Sequence, residues 1–248
     1  MKKMEAAVKK SLVLLSVLVL LALCAGCGGV KVIPHPAPEL KVDLSPFEQA
    51  GCAGDWEGCA AQPALAEFGC DRIQPAEDLL GGLGLPLAEC WVMQRYDSQS
   101  PALQEIMESN AYFHQRGCLL PVFVRYIAYQ DGTFRLLKTP ADWLALGGPL
   151  DASDKALSYA LAATGLYADF DLKYDSKLSY YTDSAIEQTS VEAAPQGWRI
   201  NLFDYQFCGC GPHDTSRVDV GVGVDGSLTL GEAQPLFRDP AEDGLCVD

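Results

Sequence analysis

The order of apolar and polar positions predicts the elements of this chain before any other property is considered. Val218, Val220, Val222 and Val224 alternate with Arg217, Asp219, Gly221 and Gly223, the period of a strand with one buried face. Asp225-Gly226 then sends the chain back through Leu228 and Leu230; Asp-Gly between apolar runs marks a tight hairpin, because both turn positions ask for positive φ. The same signal stands at Asp131-Gly132, between an apolar run from Leu119 to Tyr129 and a second one ending at Leu137. Trp198, Ile200 and Leu202 define one face of a further strand, with Phe203, Tyr205 and Phe207 on the other. Phe170, Leu172 and Tyr174, alternating with Asp169, Asp171, Lys173 and Asp175, predict one more.

Helical spacing is scarcer. Ser100-Pro101 starts a helix whose Leu103, Ile106 and Met107 share a face, the serine capping and the proline suiting the first turn. Thr139-Pro140-Ala141-Asp142 has the form of a capping box, with Gly147-Gly148 as its stop. Asp154 to Thr164 is the clearest helix, carrying Leu157, Ala160, Leu161 and Thr164 on one stripe and Gly165 past its end. From Leu44 to Cys90 the chain reads as glycine-rich loop, with only Ala64 to Phe68 helical. The expected fold class is therefore α+β: a disulfide-rich N-terminal region, then a helix packed on an antiparallel meander. The expected divisions are a leader over 1–26, a tether over 27–43, a cystine-rich α+β region over 44–148, and a helix-plus-sheet module over 149–248. The order of elements from Ala152 to about Leu236 resembles the PepSY and cystatin-like modules of exported bacterial proteins, which implies binding or inhibition and no catalysis.

The first 27 residues change the picture most. Lys2, Lys3, Lys9 and Lys10 precede an apolar run from Leu12 to Ala25, the layout of an export signal. Roughly 16 residues at about 1.5 Å each reach about 24 Å, short of a hydrocarbon core near 30 Å. Leu23-Cys24-Ala25-Gly26-Cys27 resembles the lipobox of bacterial lipoproteins, matching at Ala25, Gly26 and Cys27 and departing at Cys24, where leucine is usual. The resemblance implies cleavage before Cys27, acylation of that cysteine with chains such as palmitate, and a protein anchored on a cell or outer membrane, facing periplasm or exterior. Pro34, Pro36 and Pro38 then suggest an extended spacer, with His35 idle on it.

Composition adds two constraints. The formal net charge is −15, so phosphate backbones and anionic headgroups are repelled, and nucleic acid is not an expected partner. With Cys24 and Cys27 set aside, eight cysteines remain: Cys52, Cys59, Cys70, Cys90, Cys118, Cys208, Cys210 and Cys246. An even number in an exported chain reads as disulfides. The expected pairing has local bridges among Cys52, Cys59 and Cys70, a bond from Cys90 to Cys118, and Cys246 tied to Cys208 or Cys210.

Candidate chemistry is thin. Cys208-Gly209-Cys210-Gly211-Pro212-His213 offers two sulfurs and an imidazole for a soft metal or for thiol exchange, against the simpler reading of structural cystines. Gly221 to Gly226 matches a dinucleotide fingerprint in letters, but a strand follows where the mechanism needs a helix. The histidines are His35, His114 and His213, and no Gly-x-Ser-x-Gly elbow occurs. His114, among Tyr112, Phe113 and Arg116, reads as a structural histidine. Asp169, Asp171 and Asp175 are weighed as a Ca²⁺ site, the tyrosines from Tyr159 to Tyr205 as a ligand groove, and Trp56 as a recognition aromatic. In each case a solvated face, strand-forming residues or a ring covering a disulfide is preferred. The expectation is a non-enzymatic binding or interaction module without a cofactor, its partner an envelope protein or peptide. The alternative is a metal-binding or thiol-redox protein using Cys208, Cys210 and His213.

Overall fold

The helix from Ser153 to Thr164 buries every residue from Ala156 to Ala162, so over those two turns it has no solvent face and lies inside the molecule. The structure, a computed structural model, describes residues 30–95, 100–182 and 184–247; the leader, Cys24 and Cys27 lie outside them. In chain order the elements are β1 (Lys31–Ile33), α1 (Ser45–Gln49), β2 (Arg72–Pro75), β3 (Leu87–Met93), α2 (Pro101–Ser109), β4 (His114–Arg116), β5 (Val122–Gln130), β6 (Thr133–Leu137), α3 (Pro140–Gly147) and α4 (Ser153–Thr164). There follow β7 (Ser179–Tyr180), β8 (Ala185–Glu187), β9 (Ser190–Ala194), β10 (Gly197–Tyr205), β11 (Gly209–Cys210), β12 (Asp214–Gly223), β13 (Leu228–Leu230), β14 (Gln234–Arg238) and β15 (Cys246–Val247). The α+β class holds.

The first sheet runs β2-β3-β5-β4, with β6 added to β5; the second runs β7-β14-β12-β10-β9, with β13 on β12. All the pairings in these two sheets are antiparallel. Strand periodicity sorts the side chains. On the first sheet Leu87, Val124, Tyr126 and Ala128 join the core around α4, while Ala88, Cys90, Val92, Phe123 and Ile127 face a second core built with α1, α2 and cystines. On the second sheet Ile200, Leu202, Val218, Val220 and Val222 close the α4 core. The core is therefore continuous through residues on both sides of Gly148–Ala152.

Local chemistry explains the elements that match expectation. Ser100 Oγ accepts the Leu103 N–H at the start of α2, and Thr139 with Asp142 forms the capping box of α3. Asp131 and Gly132 take φ of 52° and 78° between β5 and β6, as the hairpin demands. Gly165 ends α4 in the left-handed region.

Five expectations are corrected. Residues 168–178 form no strand; Phe170 and Leu172 pack singly on two different cores, so their alternation serves two neighbours and no ladder. The Gly81-Gly82-Leu83-Gly84 segment is no plain loop, because a 3₁₀ helix spans Asp78–Leu83. Met107 is 63% exposed, while its expected face-mates Leu103 and Ile106 are buried. The spacer is engaged from Lys31 onward: β1 pairs in parallel with β8, Val42 is buried, and His35 Nε2 lies 2.8 Å from Glu187 Oε1.

The disulfides are the fifth, and only in part: the local Cys52–Cys59 bridge and the tie of Cys246 to Cys210 form as expected, while Cys70, Cys90, Cys118 and Cys208 take other partners. The bonds join Cys52 to Cys59, Cys70 to Cys90, Cys118 to Cys208 and Cys210 to Cys246. Cys70 leaves the local cluster because β2 and β3 pair, and Cys90 faces the second core beside it. Cys118 reaches across to Cys208 and links the two sheet regions. Trp56 is buried in the same core as Cys52 and Cys59 and packs on Phe47.

Candidate functional site: a charged cleft beside the first sheet

One charge interrupts the apolar run Val122-Phe123-Val124-Arg125-Tyr126-Ile127-Ala128. On β5 Arg125 points to the side of the second core, and its side chain is 1% exposed. Burial pulls its guanidinium below the ordinary arginine value, and the nearby Glu105 carboxylate opposes the shift. Such a group requires partners. Its Nε donates to the Ala111 carbonyl at 2.6 Å, and Nη2 donates to Glu105 Oε2 at 3.0 Å. The other oxygen of Glu105 accepts from Lys138 Nζ. Lys138 first, and then Arg125 against some desolvation, hold the Glu105 carboxyl below its usual range. One carboxylate thus serves two cations.

These three side chains line an open cleft of about 710 Å³, together with Ala66, Glu67, Phe68, Gly69, Leu136 and the first turn of α2. Its walls come from separate elements that are held firmly. The turn 66–69 leads into Cys70, bonded to Cys90 on β3, and Cys90 is the register partner of Arg125. Phe68 and Leu136 supply apolar surface continuous with the second core. Glu67 is exposed, and among the described residues no ion pair engages it. A pre-formed concavity with apolar walls and a few placed charges is the form of a small-ligand site.

A second polar network lies at the other face of the same sheet. Glu89, 4% exposed, accepts two bonds from Arg116 at 3.2 and 3.3 Å and one from Trp91 Nε1 at 2.8 Å. Burial raises its carboxyl pKa in spite of those donors. Arg116 Nε also donates to His114 Nε2, which leaves His114 Nδ1 to donate to the Ala162 carbonyl at 2.8 Å. Burial, and then the Arg116 charge, lower His114 to about 4, with the Ala162 carbonyl opposing. Both of its ring nitrogens are engaged, one by Arg116 and one by the Ala162 carbonyl.

The other candidates are dispersed. Cys208 and Cys210 sit in two different disulfides, and buried His213 has Nδ1 3.0 Å from Gln206 O and Nε2 3.3 Å from Leu245 O. Neither sulfur is a thiol, and both ring nitrogens face backbone carbonyls. Among the described residues, no group of three or more His, Cys, Asp and Glu side chains is placed to hold a metal ion. Asp169 and Asp175 accept backbone N–H groups of Asp171 and Lys177, and Asp171 pairs with Lys173. The glycines of the fingerprint-like stretch lie on β12 and its turn into β13. An added Cβ at Gly223 would fall 2.2 Å from Ser227 Oγ. Tyr181 and Tyr205 donate their hydroxyls to Asp214 and Glu242.

The sequence reading missed Arg125 and Glu89. The signal was present: each is a lone charge inside an apolar strand run. No helix among the described residues is long and apolar enough to cross a membrane. Comparison with protein-family models, with curated proteins and with solved structures finds no match.

Proposed function

We propose that this chain is an exported lipoprotein, cut before Cys27 and held on a bacterial membrane by acyl chains on that residue, where it acts as a non-enzymatic binding module. The observation that carries the export half is the pairing of all eight cysteines from Cys52 to Cys246, since such bonds form and persist outside the reducing cytosol. The basic, apolar and small-residue succession ending at Cys27 supports the anchor, because two or more acyl chains hold a protein stably. The cleft around Arg125, Glu105 and Lys138 supports the binding half, because it sets a few placed charges beside apolar walls.

The experiment is fractionation with intact-mass analysis of the chain expressed in a bacterium. The wild type is expected in the membrane fraction, beginning at Cys27 with added acyl mass. Cys27→Ser is expected to keep its leader and lose that mass. A soluble cytosolic product with an unacylated amino terminus ends this reading.

A further inference from the structure

The charges on the wall of the Arg125 cleft are unevenly used. Glu105 is shared, one oxygen to the buried Arg125 and the other to Lys138. Two positive charges therefore face one negative charge, and the side of the cleft bearing Lys138 keeps a surplus of one. The Lys138 side chain is 40% exposed and lines the cleft. Glu67 stands on the same lining, exposed and outside every ion pair among the described residues. Among the described residues the lining thus offers one uncompensated cation and one uncompensated anion. It also presents Phe68, Leu136, Ala66 and Ala102.

A ligand complementary to all three features carries a carboxylate, an ammonium group and an apolar part. We infer that the cleft binds a small zwitterion with an apolar side chain, of the chemistry shared by free amino acids and short peptides. Its carboxylate meets Lys138 in the field of Arg125, and its ammonium meets Glu67. Arg125 acts from behind the wall, because its guanidinium is buried and already committed to Ala111 and Glu105. The Cys70–Cys90 bond and the β5 ladder keep the walls in place before the ligand arrives, which lowers the ordering cost of binding. A simple anion gains from Lys138 and loses to Glu67, and a simple cation meets the reverse. The site therefore selects against both. This inference deepens the binding half of the proposed function and does not depend on acylation.

The test is calorimetric titration of the full chain with four probes: L-leucine, leucyl-leucine, N-acetyl-L-leucine and L-leucinamide. The first two keep both charges at different separations, so the tighter of them reports whether a free amino acid or a peptide fits. Each capped probe lacks one charge and is expected to bind roughly tenfold more weakly, the loss of about one ion pair. Lys138→Met should weaken the zwitterion and leave the cationic L-leucinamide bound as tightly or more tightly, because its repulsion by Lys138 is removed. Glu67→Gln should weaken the zwitterion and leave the anionic N-acetyl-L-leucine bound as tightly or more tightly, for the converse reason. Both side chains are exposed enough for the fold to persist, which a thermal melt verifies. Equal binding of capped and uncapped probes, no heat from any probe at millimolar concentration, or indifference to both variants overturns the inference. Acyl mass measured on the same preparation scores the anchor separately, so either idea can fall alone.

Discussion

At the scale of single residues, the informative groups are charges placed where the sequence is otherwise apolar. His114 carries the clearest consequence. Its folded pKa of about 4 lies below the ordinary 6.5, so between those values the unfolded chain binds a proton that the folded one refuses. Stability contributed by His114 is therefore present above about pH 6.5, falls as pH drops, and is gone near pH 4. The full window corresponds to about 3 kcal/mol. Glu89 has the opposite sign. Its folded pKa is raised above 4.5 by burial, so its contribution is present in acid and lost as pH climbs. The two overlap in the wild type, and a variant separates them. His114→Gln should be less stable than wild type at pH 7, with the gap narrowing toward pH 4.5 when urea midpoints are compared. A gap that stays constant with pH refutes the assignment. Arg125 and Glu89 show what a sequence reading can overlook: a lone charge within a strand run has to be partnered, but the run does not say by which residue. Glu105 and Lys138 lie 20 and 13 positions away on separate elements, and nothing local joins them.

At the scale of elements, what was legible is what local chemistry decides. The Asp131-Gly132 hairpin, the Thr139–Asp142 capping box and the Gly165 stop each depend on a few adjacent residues, and each forms as its chemistry requires. The apparent strand at Phe170–Tyr174 failed for the converse reason: alternation records which residues are buried, not what buries them. In the sequence the glycine cluster at 81–84 reads as part of a loop, whereas its use is close approach. Gly82 N–H donates to Ser158 Oγ at 2.9 Å, and a Cβ there would lie 2.2 Å from the Asp154 carbonyl oxygen. The obstacle is backbone of α4, which cannot swing aside as a side chain can. Gly82→Ala should destabilise by about 3 kcal/mol, at the upper end for overpacking. Gly221→Ala is the control: its added Cβ meets Thr229 at an ordinary 3.5 Å, and alanine suits a strand better than glycine. Thermal melts should show a large drop for the first and little change, or a small rise, for the second. Equal drops would mean that the contact between the 3₁₀ helix and α4 is looser than described.

At the scale of the whole molecule, the four disulfides divide by access, and this governs how the fold comes apart. Cys52, Cys59 and Cys90 are fully buried in the second core, while Cys210 and Cys246 are exposed on the short β11–β15 ladder. Cys70, Cys118 and Cys208 are intermediate, and the last two close the longest loop, a separation of 90 residues. Attack by an external thiolate needs a path to sulfur, so reduction of the native chain should begin at Cys210–Cys246. Cys118–Cys208 should follow. The Cys52–Cys59 bond should resist until the second core opens, because the apolar residues packed over both sulfurs must first be displaced, while Cys70–Cys90, open only on the Cys70 side, should fall in between. In the chain-entropy picture, closing a loop of about 90 residues stabilises by about 4–5 kcal/mol, the 36-residue separation of Cys210 and Cys246 by about 4 kcal/mol, and the seven-residue separation of Cys52 and Cys59 by about 2–3 kcal/mol. The first two bonds to be reduced should therefore each lower the melting temperature by a similar, large amount, and Cys52–Cys59 by less. Graded reduction, alkylation of freed thiols and mapping by mass spectrometry read the order, and a melt of each trapped species reads the cost. Early labelling of Cys52 or Cys59 in a protein that still melts cooperatively would show that the second core does not shield its cystines. The rigid wall assigned to the Arg125 cleft, which depends on Cys70–Cys90 in that same core, would then be lost with it.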